Sequence, residues 1–122
     1  MRLRILTGVL IAFSLAAAPR STMSGFHNYP NPFKASDTAT TFKFSYSSPS
    51  LSKVIVTVFN PQGKQLYTDT IATNITASPF TFQWRGVDDK GAILAPGLYH
   101  AKLDIRTQDG DTLTAYTKVV VK

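Results

Sequence analysis

The chain has no cysteine and no glutamate, and only two histidines among its 122 residues. The missing thiol excludes a disulfide framework, a thiolate metal site, a cysteine nucleophile and a lipidated N-terminal cysteine. Without glutamate, a paired-carboxylate acid/base site needs two aspartates brought together by the fold. His27 and His100 give catalysis little to stand on, since His100 falls on the charged face of its segment beside Lys102 and Asp104 and reads as solvated. A long apolar run is missing too. The only one, Ile5 to Ala18, spans 14 residues, whereas an apolar helix needs about 20 to cross a bilayer.

That run instead has the form of a secretory leader. Arg2 and Arg4 precede it as a basic segment, and Ser14-Leu15-Ala16 places small residues ahead of a cut before Ala17. A cut after Ala18 would leave Pro19 behind the scissile bond. Residues 1–16 are thus expected to be a signal peptide, with cleavage at 16–18, residues 17–25 a short linker, and 26–122 one domain. A buried helix of a larger, truncated protein is the competing reading of the run. The formal charge is +6, and loss of Arg2 and Arg4 leaves 11 basic residues against 7 aspartates, or +4. These cations are spread singly, as at Lys34, Lys43, Lys53 and Lys64. Nucleic-acid binding requires clustered cations along a phosphate path, so no nucleic-acid partner is expected.

After residue 26 the periodicity is two, as in strands with one buried face. Phe42, Phe44 and Tyr46 alternate with polar residues, making about 39–46 the first strand. Val54, Val56 and Val58 share a face over 53–59, and Ile55 and Phe59 on the other predict cover on both sides. Asn60-Pro61-Gln62-Gly63 is a tight turn, with proline presetting φ and glycine accepting the exit. The return strand is 64–71, and Phe80, Phe82 and Trp84 align on the next. Ile93 and Leu94 make at most a short edge strand because Pro96 cannot donate to a ladder. The strand over 98–107 turns Tyr99, Ala101, Leu103 and Ile105 one way. It ends at Asp109-Gly110, and the last strand places Leu113, Ala115, Thr117, Val119 and Val121 on one face. Seven short strands joined by turns predict an all-β, immunoglobulin-like antiparallel sandwich, with Trp84, Tyr99, Val56 and Leu103 in one inter-sheet core.

Four stretches follow in a definite order: Tyr29-Pro30-Asn31-Pro32-Phe33; Val58-Phe59-Asn60-Pro61-Gln62-Gly63-Lys64; Trp84-Arg85-Gly86 through Asp88-Asp89-Lys90-Gly91 to Gly97-Leu98-Tyr99; and Lys118-Val119-Val120-Val121-Lys122. Over about residues 26–122 this resembles the type A C-terminal sorting domain of the Bacteroidetes type IX secretion system, a relative of the immunoglobulin-like domain of flagellar hook-capping proteins. The resemblance implies an address label that follows Sec export to the periplasm. There it would be recognised by the outer-membrane translocon, and commonly removed by a sortase at the cell surface. The expected partners are translocon and sortase components, with the membrane met only in transit, and no cofactor, metal or small-molecule substrate. Gly97 and Tyr99 match the family's glycine-x-tyrosine motif, and Lys118, Val119, Val120, Val121 and Lys122 its terminal motif. Two departures stand out: Arg85 follows the tryptophan where the family usually has aspartate, and the leader runs almost directly into the domain. A gene fragment, a minimal secreted protein or the tail of a sortase-like component each fits the second.

The same residues have plain structural readings. Pro30 and Pro32 block edge pairing and fix the chain's approach to the first strand. Gly97 allows a backbone conformation closed to other residues. Trp84 and Tyr99 are core anchors. Asp88-Asp89 and Asp109-Asp111 suit calcium or simple turns, and Asp-Gly loops turn chains without an ion. For the terminal strand the expectation is double. Its inward side chains hold it in the sheet, while an exposed edge and Lys118, Val120 and Lys122 face a partner that adds a strand. The alternative function is an assembly or adhesion module of the hook-capping kind.

Overall fold

The computed structural model describes residues 21–122. The expected leader, its expected cleavage site and the start of the expected linker lie outside the described residues. Seven antiparallel strands form two sheets: β1 (Thr22–Tyr29), β2 (Thr40–Ser47), β3 (Leu51–Phe59), β4 (Gln65–Ile75), β5 (Phe80–Trp84), β6 (Gly97–Thr107) and β7 (Thr112–Val121). One sheet has the order β1-β2-β5 and the other β4-β3-β6-β7, which makes the expected sandwich.

The two-residue period places the core. Phe42, Phe44 and Tyr46 from β2 meet Val54, Val56 and Val58 from β3, Ala101, Leu103 and Ile105 from β6, and Val119 and Val121 from β7. Each large apolar side chain removed from water contributes about 1.5–3 kcal/mol before the entropy of ordering is charged against it. In the smaller sheet, aromatic rings continue from strand to strand. Phe42 stacks on Phe26 at 5.5 Å between centroids and on Phe82 at 5.2 Å. Trp84, Tyr99, Val56 and Leu103 are all buried in this core, as the alternation predicts.

The strand count matches the expectation, but one member differs. Residues 22–25, expected as linker, are the first half of β1, and its register with β2 shifts between Ser24 and His27 around Gly25 at φ 70°. That irregularity breaks the alternation that would reveal the strand. Conversely, Ile93 and Leu94 form no strand. Ile93 makes a single bridge to Val87 and is otherwise exposed. The return strand β4 runs to Ile75 because a register shift opposite Val54 and Ile55 lets both Ile71 and Ala72 lean on the core. The outer face of β3 is only half covered at Ile55 and Phe59.

Candidate recognition site

The terminal motif lies on β7, an edge strand of the larger sheet. Val119 and Val121 are buried, Lys118 and Lys122 are exposed, and Val120 is half-buried, so the alternation holds to the chain's last residues. The edge itself, expected to be open, is partly occupied. Asn31 Nδ2 donates to the Lys118 carbonyl at 3.1 Å, and the Val120 amide donates to Asn31 Oδ1 at 2.8 Å. Two residues on, the Phe33 amide donates to the Val120 carbonyl at 3.0 Å, and the Lys122 amide donates to the Phe33 carbonyl at 2.9 Å. Phe33 thereby bridges Val121 in parallel sense. The asparagine carboxamide imitates one peptide group of a neighbouring strand and Phe33 supplies the next, so this stretch of β7 is closed to strand addition by its own chain. Backbone groups alternate in direction along a strand. The rest of this edge therefore falls at Thr112, Thr114 and Tyr116.

The prolines frame this clip rather than merely blocking an edge. Pro30 precedes Asn31 and its carbonyl accepts from Thr40 Oγ1 at 2.9 Å, while Asn28 Nδ2 donates to the same hydroxyl at 3.0 Å. Thr40 is completely buried. Asn28 and Thr40 anchor the approach to Asn31, and nothing in the sequence marks them, because a threonine opening a strand is ordinary. Pro32 is exposed and carries the chain into Phe33, whose ring is only 1% exposed.

Phe33 is seated by the tryptophan motif. Its ring meets Trp84 edge-on at 6.0 Å and 60°. Gly86 lies beneath it at φ 74°, and a Cβ there would stand 2.6 Å from Ala35 Cβ and 3.1 Å from Phe33 Cζ. Gly86 is thus required twice, for its backbone and for the space it leaves. Trp84 Nε1 donates to the Val87 carbonyl at 3.2 Å, satisfying its one polar atom at the sheet's end. Arg85, the departure from the family pattern, is exposed.

Gly97 and Tyr99 come to the same end because β6 pairs Gly97 with Val121, Leu98 with Val120 and Tyr99 with Val119. The Tyr99 hydroxyl donates to the Ala95 carbonyl at 2.6 Å, pinning the crossing strand as a tyrosine corner does. A Cβ at Gly97 would make ordinary contact with that ring at 3.9 Å. The aspartates of the intervening loop bond backbone amides. Asp88 Oδ1 accepts from Lys90 and Ala92, and Asp89 Oδ1 accepts from Thr68 on β4. Gly91, at φ 85°, closes that turn onto the Asp88 carbonyl. At the first hairpin Asn60 Oδ1 accepts from the Gln62 and Lys64 amides and Gly63 takes φ 86°, as its turn composition predicts. His27 and His100 lie in different sheets.

The four motifs, separated in sequence, therefore come to one end of the sandwich, three of them around the last strand and the hairpin of Asn60 to Lys64 beyond β6. No protein-family profile and no characterised protein sequence matches the chain. Solved structures do share the fold. Dimeric latent PorU from Porphyromonas gingivalis aligns over 85% of this chain at 19% identity and a TM-score of 0.67. PorZ, an essential surface component of the type-IX secretion system of that organism, aligns over 80% at 17% identity and 0.50. FlgD from P. aeruginosa aligns over 84% at 26% identity and 0.53. The chain spans 9% of PorU, 11% of PorZ and 69% of FlgD. It is an immunoglobulin-like β-sandwich resembling domains of type IX secretion proteins and of FlgD hook-cap proteins.

Proposed function

We propose that the chain is a non-catalytic sorting and interaction module that directs an exported protein through the type IX secretion system to the cell surface. The observation that carries this reading is the clip. Asn31 and Phe33 hold Lys118 to Lys122 in one fixed shape with Lys118, Val120 and Lys122 turned outward. A rigid, outward-facing signature lowers the ordering cost of being read by a partner. Because part of the β7 edge is filled, recognition runs through those side chains rather than through strand addition at Val120. Translocon and sortase components are the partners in this reading, and the route is Sec export, periplasm, then outer-membrane surface or medium.

The test fuses residues 21–122 to a leader and a periplasmic reporter in a host with the type IX machinery, with Lys118→Ser and Lys122→Ser as the variant. The intact fusion should reach the surface, and the variant should stay in the periplasm with unchanged thermal stability. Equal delivery of a folded variant would remove the terminal motif from the mechanism. It would favour the second reading, an assembly module of the hook-capping kind, which the 69% span of FlgD supports.

A further inference from the structure

In sequence the cations stand singly, but the strand register collects several on the outer face of the larger sheet. Lys53 on β3 lies directly opposite Arg106 on β6. Lys102 on β6 lies opposite Tyr116 on β7, and His100 opposite Lys118. Of the seven aspartates, Asp104 alone shares this face. It is already engaged, accepting from Thr114 Oγ1 at 2.6 Å and lying 3.7 Å from Lys102 Nζ. β4 adds only uncharged groups, Gln65, Thr68, Thr70 and Thr73. Four cations thus stand against one carboxylate. Lys53, Arg106 and Lys118 form no salt bridge with a carboxylate among the described residues. Like charges directly opposite on neighbouring strands destabilise a sheet, so the Lys53 and Arg106 pair costs the fold something that no salt bridge among the described residues offsets.

Between these cations lie half-buried Ile55 and Phe59 and exposed Leu98 and Tyr116, which is 65% exposed. Apolar side chains inside a charged surround are the pattern of a protein interface. A flat layer of phosphates would leave them against polar groups. We infer that the outer face of the β4-β3-β6-β7 sheet is a docking surface for an acidic polypeptide carrying apolar side chains among its carboxylates. The inference stands apart from the sorting reading, because it rests on register and charge rather than on the terminal motif.

The probe is a labelled twelve-residue peptide of repeating Asp-Phe-Asp-Gly, titrated against the intact protein by fluorescence anisotropy at low and at physiological salt. It should bind. Binding should weaken with salt, as it must for exposed charges. Lys53→Gln with Arg106→Gln should weaken it about tenfold while the thermal unfolding midpoint holds or rises, and Lys43→Gln with Arg85→Gln, on the outer side of the other sheet, should change it by less than about twofold. Amide shifts on binding should map to residues 53–59, 98–106 and 114–118. Equal weakening by the two double variants would mean that net charge alone is read, and would overturn the inference. So would shifts mapping elsewhere, no binding at all, or binding of phosphatidylglycerol vesicles or a single-stranded oligonucleotide without the peptide.

Discussion

Asn31 and Val120, 89 residues apart, are joined by a 2.8 Å hydrogen bond in which a side-chain carbonyl takes the place of a neighbouring strand. The bond turns a turn residue into part of the sheet. It also explains why asparagine, with a donor and an acceptor on one planar group, suits this position between two prolines.

Replacing it should therefore open the edge without unfolding the domain. Asn31→Ala should cost about 0.5–1.5 kcal/mol, since water replaces both partners at an exposed edge. The sharper readout is amide exchange, in which Val120 loses protection while Tyr99 on β6 keeps its own. Undiminished protection at Val120 would refute the clip.

Gly86 and Gly63 make a matched pair of tests. Both have positive φ, but a Cβ at Gly63 meets open space while one at Gly86 strikes Ala35. Gly63→Ala should cost about 1 kcal/mol from backbone alone, and Gly86→Ala about 1–3 kcal/mol more from overpacking. Denaturant midpoints for the two variants check the order.

Trp84 is the single tryptophan and is 2% exposed, so its emission should be blue-shifted in the native state and move red on unfolding. Trp84→Ala and Phe33→Ala should each cost about 3–5 kcal/mol, enough to abolish cooperative unfolding in a marginal domain. A cooperative transition of native midpoint in either variant would contradict the core described above.

Tyr67 provides a pH test. Its pKa is pushed up to about 12, first by burial against the core, then by the Asp69 carboxylate, through its charge and by accepting the hydroxyl at 3.2 Å, and last by the charge of Asp89. The folded state therefore holds the proton more tightly than the unfolded chain, whose tyrosines titrate near 10. Its stabilisation is complete below pH 10 and is lost as pH rises toward 12. Tyr67→Phe should flatten the stability profile in that window, and ultraviolet titration of phenolate should lose a late-titrating component in the variant while that of Tyr46, whose pKa burial also raises, remains.

Sequence alone determined whatever depends on near neighbours. The inward sets of β2, β3, β6 and β7 follow from side chains alternating across a strand, and the Asn60 to Gly63 turn from proline and glycine chemistry. β1 escaped because a bulge at Gly25 breaks its period, and the edge segment at Ile93 and Leu94 reduces to a single bridge, with Ile93 facing solvent while Leu94 packs against the core. Only the tertiary structure decided that Asn31 and Phe33 close the β7 edge, that Gly86 makes room for Phe33, and that Lys53 faces Arg106. Each of these depends on groups tens of residues apart meeting in a particular register. Local propensity carries no information about such meetings, because they are fixed by how two sheets close on a shared core.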